Sequence, residues 1–377
     1  MNLLKSTQNM FKFAGRFFDR RPCAKAVIGD QRQPRASAPS LSSATQHEAT
    51  ALSGAGRELR VRITMGFDVG GLDWFTPGRS MKVGRCRFAV HPPEDQPYDF
   101  WIVFGNAKPR ETTQVAPINT LFIAAEPPAK KRYPKRFYQQ FNHVVDTHTG
   151  SRHPRLVVDA LGLFWMVGLS WKRYGYDYGY DYLKALVPPE KINRVSVVCS
   201  STASTPGQRR RLKFLAALKE RLGDKIVHFG KGFTPVDDKM EAVLPYRFHL
   251  VLENSQSPHY WTEKLADAYL GWAFPLYVGC PNLADYFSED SFCSLDMDDV
   301  DGAVATIERL LASPCSQMEI AAVRGARERI LDVFNSFVRF AYWTERFYRD
   351  EPAQAVTIRS AKAFRAVRGW FYRFKHR

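Results

Sequence analysis

The chain has 377 residues, of which 45% are apolar and 14% aromatic, enough to build the cores of two domains of ordinary size. Its 54 Lys and Arg residues exceed its 38 Asp and Glu residues, which gives a net charge of +16. Ten basic and four acidic residues fall within 1–60, and seven basic and no acidic residues within 352–377. A nucleic-acid channel needs its positive charge on the folded surface, so this distribution argues against a nucleic-acid partner.

The N-terminal segment is basic and roughly amphipathic. Residues 1–21 carry Leu4, Phe11 and Phe18 among Lys and Arg, which fits either an organellar presequence or a helix that lies on a membrane surface. The sequence contains no run approaching 18 apolar residues, and its six cysteines form no Cys-x-x-Cys pair. We therefore expect a cytoplasmic protein with reduced thiols.

The composition divides the chain into four parts. No aromatic residue occurs in 19–66, and Ala, Ser, Thr, Gly and Pro dominate 33–56, so residues 1–58 are predicted to be a basic segment and flexible linker. Short apolar runs then alternate with helical stretches, which is typical of parallel sheets covered by helices. The sequence predicts two doubly wound α/β domains that face each other across a cleft, at 59–187 and 188–350, and a basic amphipathic tail at 351–377.

The predicted strands and helices follow from the same alternation. Strands are expected at 59–63, 100–105, 120–126, 143–146, 194–200, 225–232, 246–255, 275–279 and 291–297. Helices are expected at 209–222, 263–272, 299–312 and 317–347. Because open α/β sheets bind ligands at the carboxyl ends of their strands, the candidate functional residues are those that follow the strands.

A polar cluster and a helix start follow the buried strand that ends in Leu252-Glu253. Thr262 as N-cap would leave the first-turn amides free, which creates an anion site. Lys264 adds a positive charge suited to a diphosphate, and Glu263 can accept hydrogen bonds from ribose hydroxyls. The alternative is an ordinary capped helix with a solvent-exposed Glu–Lys pair.

Three arginines at 209–211 begin another predicted helix. The spacing of Arg211 to Phe214 favours Arg211 as the one that faces the strand ends, where it could bind phosphate in a bidentate manner. The alternative is that all three are surface charges.

Glu126 follows an apolar strand and precedes Pro127 and Pro128, which end that strand. A carboxylate in this place could act as a general base on a hydroxyl group. The alternative is that Glu126 is simply the end of a strand.

Other motifs give weaker signals. The Gly-Lys-Gly at 230–232 lacks the remaining residues of a nucleotide-binding loop. The acidic run at 296–299 is better explained by helix capping than by metal binding, so no metal is expected. The Tyr/Gly/Asp repeat at 173–182 is either a surface loop or a platform on which sugar rings stack.

The region from Tyr246 to Asp285 closely resembles the signature region of the family 10 fucosyltransferases, the α-1,3/4-fucosyltransferases. The matching motifs are Tyr246-Arg247-Phe248, Glu253-Asn254-Ser255, Tyr260-Trp261-Thr262-Glu263-Lys264 and Gly279-Cys280-Pro281. Looser similarity extends upstream to Arg211 to Phe214, Gly230, Gly232, Lys239 and the LFIAAEPP segment that contains Glu126.

This resemblance implies a GT-B fold with two Rossmann-like domains. It implies an inverting fucosyltransferase that uses GDP-fucose, no further cofactor, and a Gal/GlcNAc-type glycan acceptor. The implied linkage is α-1,3, with α-1,4 as the alternative. Glu126 would be the general base. The implied donor-binding residues are Arg211, Lys239, Asn254, Ser255, Tyr260, Glu263 and Lys264.

Two other functions fit the same residues: a transferase that uses another GDP-sugar, and a nonenzymatic protein that binds a nucleotide sugar. By the same resemblance, the basic C-terminal tail would dock at the anionic inner face of a membrane. Its alternative is a helix that packs on the body of the protein.

Overall fold

The structure is a computed structural model that describes residues 56–66, 70–93, 96–127 and 130–364. The predicted N-terminal linker up to residue 55 and the tail after residue 364 lie outside the described residues. No helix within the described ranges combines the length and hydrophobicity that crossing a bilayer requires.

The first domain is an α/β unit made of short strands and short helices. Its described strands are β1 (Leu59–Met65), β2 (Lys82–Val83), β3 (Cys86–Val90), β4 (Phe100–Phe104), β5 (Arg110–Val115), β6 (Thr120–Ile123), β7 (His143–Asp146), β8 (Leu156–Val158), β9 (Leu169–Ser170) and β10 (Gly175–Tyr176). Its described helices are α1 (Lys135–Tyr138) and α2 (Tyr180–Ala185).

The main sheet of this domain has the order β2-β3-β1-β4-β6-β7-β8. Only the pairing of β2 with β3 is antiparallel; the other pairings are parallel. Every residue of β4 and β6 is buried, as expected for continuous apolar runs covered on both faces of a parallel sheet. This burial fixes the carboxyl end of β6, which leads to Glu126.

The second domain contains strands β11 (Ile192–Val198), β12 (Ile226–Phe229), β13 (Tyr246–Leu252), β14 (Phe274–Val278) and β15 (Cys293–Ser294). Its helices are α3 (Pro206–Leu222), α4 (Met240–Val243), α5 (Glu263–Leu270), α6 (Val300–Ala312), α7 (Gln317–Asp332) and α8 (Ser336–Phe347). The sheet order is β12-β11-β13-β14-β15, all parallel. Because β12 and β13 lie on opposite sides of β11, the topological switch point lies between β11 and β13.

The predicted fold class, GT-B with two Rossmann-like α/β domains, is confirmed by these two sheets. Most predicted strands are present with shorter bounds. The strand predicted at 120–126 ends at Ile123, so Glu126 lies in the following loop. Strand β5, with the polar sequence Arg110–Val115, and strands β2 and β3 were not predicted.

The helix predicted at 317–347 is wrong as a single element, because the chain breaks between α7 and α8. Asn335 caps α8 by accepting a hydrogen bond from the amide of Phe337 at 2.9 Å. Its side-chain amide donates to the carbonyl of Phe75 at 2.7 Å. The break therefore turns the chain back onto the first domain, where the ring of Phe337 lies 5.2 Å from that of Phe88.

The beginning of the predicted helical tail is also wrong. Residues Gln354–Arg359 form strand β16, which pairs antiparallel with β5. The alternating sequence Gln-Ala-Val-Thr-Ile-Arg suits an edge strand, and Ile358 is fully buried in the core of the first domain. The C-terminal part of the described chain thus belongs structurally to the first domain.

A buried ion pair holds β1 against β5. Arg62 Nη2 lies 3.1 Å from Glu111 Oε1, and the two side chains are only 1% and 2% exposed. Arg62 Nη1 also donates to the carbonyls of Pro92 and Pro93, and Thr64 Oγ1 donates to Glu111. Among these partners of Arg62, Glu111 supplies the negative charge that compensates its buried positive charge.

Replacing Glu111 by Gln should lower the free energy of unfolding by about 3–5 kcal/mol, because removing one partner leaves a buried charge uncompensated. Urea denaturation monitored by circular dichroism measures the change. The matched control is Asp73→Asn, which breaks the partly exposed Asp73–Arg79 pair and should leave the transition almost unchanged. Equal effects of the two substitutions would contradict the assignment.

Candidate active site

The candidate site lies at the switch point of the second sheet, where two helices begin. Thr205 caps α3 in a capping box with Gln208, and Thr262 caps α5. A Cβ atom on Gly207 would lie 2.3 Å from the carbonyl oxygen of Asn254, so the start of α3 packs directly on the loop after β13. Two helix N-termini, each with its partial positive charge, therefore meet at one edge of the sheet.

Arg211 is the inward-facing member of the three consecutive arginines. Its side chain is buried, and Nη1 donates to Asn254 Oδ1 at 2.7 Å. Its buried Nε makes no hydrogen bond within the described residues. The exposed Arg210 instead binds Asp298 and Gln256. Arg211 thus brings a cation with an unused donor to the end of β13.

Lys264 lies between two carboxylates at the start of α5. Its Nζ is 2.9 Å from Glu263 Oε1 and 3.4 Å from Glu253 Oε2, and it also donates to Thr262 Oγ1 at 2.9 Å. Burial alone would lower the pKa of Lys264, but the charges of Glu263 and Glu253 outweigh it and raise that pKa above its ordinary value. Lys264 is therefore a fixed positive charge that remains 20% exposed.

Glu253 is the most deeply buried carboxylate of this cluster. It accepts the Thr262 amide at 2.7 Å and the Thr262 hydroxyl at 2.8 Å, which joins the end of β13 to the start of α5. Burial raises the pKa of Glu253, and Lys264 only partly opposes that effect. From the sequence, Glu253 was recognised only as part of a motif and was given no role.

Glu263 carries a stable negative charge. Burial alone would raise its pKa, but the positive charges of Lys264 and Lys239 outweigh burial and lower that pKa to about 2. The carboxylate therefore stays ionised at any physiological pH and is available as a hydrogen-bond acceptor.

The remaining predicted donor residues surround this cluster at different depths. Ser255 follows Asn254 and is half-buried, and Tyr260 is buried in the loop that leads to α5. Lys239 lies behind α5, where its Nζ forms an ion pair with Asp267 Oδ2 at 2.8 Å. Lys239 acts on Glu263 electrostatically while its direct ionic partner is Asp267.

Glu126, the predicted base, belongs to the first domain. It lies in the loop after β6, is 30% exposed, and forms an ion pair with Lys130 at 2.6 Å. Burial and then the charges of Glu253, Glu126 and Glu263 raise the pKa of Tyr260. The direct ionic partner of Glu126 is Lys130, and its role toward the donor-side residues stays a prediction.

A polar chain that was not predicted from the sequence also joins the two domains. Arg339 of α8 is buried and binds Asp159 Oδ2, from the loop after β8, at 2.6 Å. The hydroxyl oxygen of Tyr286 lies 3.5 Å from Asp159 Oδ1 and 2.5 Å from Nδ1 of His259. His259 is the residue before Tyr260. No local motif signals these contacts, since Asp159 and Arg339 are 180 residues apart.

The acidic run at 296–299 has the capping role that the sequence favours. Asp299 is the N-cap of α6 and accepts a hydrogen bond from the Gly302 amide at 2.8 Å. Its carboxylate is therefore used within the helix start.

Comparison with known proteins finds a family match within the second domain. Residues 189–312 match the family model described as glycosyltransferase family 10 (fucosyltransferase), C-terminal. The predicted family resemblance is confirmed. The matched range contains the switch point and all the donor-side residues of the candidate site.

Similarity to individual proteins covers limited parts of each. The chain is 38% identical over 76 residues to an α-(1,3)-fucosyltransferase of Helicobacter pylori, which is 20% of this chain and 16% of that protein. It is 30% identical over 168 residues to a putative fucosyltransferase-like protein of Arabidopsis thaliana, which is 43% of this chain and 31% of that protein. The matches thus span less than a third of the length of either relative.

A solved α1,3-fucosyltransferase with GDP-fucose is 18% identical to this chain. The alignment covers 79% of this chain and 93% of that chain, with a TM-score of 0.42.

Replacing Lys264 by Met should raise the pKa of Glu263 from about 2 to its ordinary value or above, because burial then acts against a single remaining lysine. Carbon-13 NMR of the side-chain carboxyl groups follows this titration. In the wild type, the stability that Glu263 contributes should be present above about pH 4.5 and be lost as the pH falls toward 2. In the variant this acid-linked loss should disappear, because the pKa of Glu263 in the folded protein no longer lies below its ordinary value.

The control for this titration is Lys213→Met, which removes an exposed lysine of α3 without touching the cluster. A Glu263 pKa that stays near 2 in Lys264→Met would show that Lys264 is not its main counter-charge.

Proposed function

We propose that this protein is an inverting fucosyltransferase that moves L-fucose from GDP-fucose to a hydroxyl group of a Gal/GlcNAc-type glycan, through an α-1,3 linkage. The observation that carries the proposal is the Arg211, Glu263 and Lys264 cluster at the switch point, within a range that matches the family 10 model. The Helicobacter pylori relative carries the name α-(1,3)-fucosyltransferase. The proposal extends that activity to this chain.

The donor half of the proposal rests on charge and geometry. The diphosphate of a GDP-sugar would meet Lys264, the guanidinium group of Arg211 and the first-turn amides of α5, which are complementary to a phosphate group. The ionised Glu263 would accept hydrogen bonds from the ribose hydroxyls, while Asn254 and Tyr260 would line the pocket. Cationic side chains thus supply the charge neutralisation, and we propose that no metal or other cofactor is required.

The acceptor half assigns Glu126 as the general base. The attacking hydroxyl would lose its proton to the Glu126 carboxylate as its oxygen bonds to C1 of fucose. The bond between C1 and the diphosphate oxygen would break on the opposite face, which inverts the anomeric carbon and releases GDP. Lys264 and Arg211 would stabilise the negative charge that develops on the leaving diphosphate.

The ion pair between Glu126 and Lys130 bears on this role. Lys130 is 57% exposed, so it can move away from Glu126 at little cost when an acceptor hydroxyl takes its place.

Replacing Glu126 by Gln should lower the turnover number by about 10²–10⁴-fold, because an amide cannot take the proton. The affinity for GDP should stay unchanged. Radiolabelled GDP-fucose and a panel of Gal/GlcNAc acceptors measure transfer, and calorimetry measures GDP binding. The matched control is Glu190→Gln, which changes an exposed carboxylate and should transfer as the wild type does.

The outcomes of this assay separate the alternatives. Transfer from GDP-mannose in preference to GDP-fucose would favour a transferase for another GDP-sugar. Tight GDP-fucose binding by the wild type without transfer to any acceptor would favour a nonenzymatic nucleotide-sugar-binding protein. Unchanged turnover in Glu126→Gln would remove Glu126 from the role of base.

The proposal includes a cytoplasmic location and peripheral contact of the basic termini with an anionic membrane surface. Basic residues outnumber acidic ones in both termini, and such segments bind anionic lipids electrostatically. Deleting residues 365–377 should weaken cosedimentation with phosphatidylserine-containing vesicles and spare transfer to a soluble acceptor. Equal cosedimentation of the full chain and the truncated chain would contradict this contact.

A further inference from the structure

Asp267 is a buried carboxylate that no step of the proposed reaction uses. It lies on α5 one turn after Glu263, and its side chain is 2% exposed. Burying a carboxylate is costly unless its oxygens are fully bonded. The partners of Asp267 therefore indicate the role of this buried carboxylate.

Two of those partners are main-chain amides from the segment that leads out of the first domain. Asp267 Oδ1 accepts hydrogen bonds from the Met166 amide at 2.7 Å and the Val167 amide at 3.1 Å. Asp267 Oδ2 accepts from Lys239 Nζ at 2.8 Å. The carboxylate thus joins the donor-side helix to a stretch of chain 100 residues away in sequence.

That stretch is anchored firmly on the first domain. The ring of Trp165 lies 4.4 Å from the ring of Phe75. The main-chain carbonyl of Trp165 accepts a hydrogen bond from the Tyr176 hydroxyl at 2.7 Å. Trp165 and Val167 are almost completely buried. A displacement of Met166 and Val167 would therefore carry this part of the first domain with it.

Two further carboxylates, those of Asp237 and Asp238, bind the chain that follows Val167. Asp238 Oδ1 accepts the Gly168 amide at 2.9 Å, and Asp237 accepts the Lys172 amide at 2.7 Å and the Ser170 hydroxyl at 2.8 Å. These residues hold the chain after Val167, but Asp267 alone among the three belongs to the helix that begins with Glu263 and Lys264.

We propose that Asp267 is a positioning residue that ties α5 to the amides of Met166 and Val167 and so holds the first domain, with Glu126, in register with the donor site. This inference rests on the proposed function. In this role Asp267 touches neither substrate, and its removal should impair fucose transfer without impairing GDP binding. GDP binds within the second domain, whereas transfer needs both domains in place.

The test compares Asp267→Ala with Asp267→Asn, which keeps an oxygen that can accept the two amides. In Asp267→Ala the transfer rate per GDP-binding site should fall about 100-fold, because a misplacement of about 1 Å costs that much. The dissociation constant for GDP should change by less than about threefold. Asp267→Asn should recover most of the transfer rate.

Hydrogen exchange of the Met166 and Val167 amides reports on the tie without any substrate. Exchange should be at least about tenfold faster in Asp267→Ala than in the wild type, and close to wild type in Asp267→Asn. The matched control is Asp332→Ala, which breaks the contacts of α7 with Tyr180 and Lys184 of α2. It should change neither this exchange nor the transfer rate.

Three results would overturn the assignment: a normal rate per GDP-binding site in Asp267→Ala, a parallel loss of GDP binding and transfer without rescue by Asn, or unchanged exchange of the two amides. A wild-type protein that transfers no fucose, with faster exchange in Asp267→Ala, would refute the proposed function and leave the tie between the domains intact.

Discussion

The ion cluster of Glu253, Lys264 and Glu263 is the interaction around which the rest of the site is built. Carboxylates lie on two sides of the partly exposed Lys264, and their charges raise its pKa against the effect of burial. Glu253 in turn is fixed by the amide and hydroxyl of Thr262, so the end of β13 and the start of α5 form one rigid unit. An anion that binds at this place meets charges already in position, which lowers the cost of organising the site.

The last elements of the described chain, α8 and β16, join the second domain to the first. Helix α8 packs its phenylalanines on the first sheet, and β16 adds a strand to β5. The Arg339–Asp159 pair and the hydrogen bonds of Asp267 reinforce this connection from the second domain. These contacts join the domain that carries Glu126 to the domain that carries the start of α5. Sites between domains commonly form in this way.

The sequence predicts well those features whose determinants are local. The first residues of β13 and α5, the cap at Thr262, and the inward direction of Arg211 all follow from neighbouring residues and from a continuous motif. The parallel sheets follow from buried apolar runs such as those of β4 and β6, whose pattern is unambiguous.

Features with remote determinants escaped prediction. Strand β5 has a polar sequence and becomes a strand through its pairing with β16, which lies more than 200 residues later. The break at Asn335 depends on the carbonyl of Phe75. The roles of Asp267 and Asp159 depend on Met166, Val167 and Arg339, partners that lie 100 to 180 residues away. Contacts between residues so far apart produce no local pattern that a single sequence can reveal.

We propose that the cationic side chains and helix amides at the start of α5 bind a diphosphate without a metal ion. This binding can be measured by calorimetric titration of the EDTA-treated protein with GDP and with guanosine. We expect GDP to bind at least about 100-fold more tightly than guanosine, with an affinity that added magnesium leaves unchanged. Equal affinities for the two compounds, or GDP binding that appears only with magnesium, would show that these groups do not bind the diphosphate by themselves.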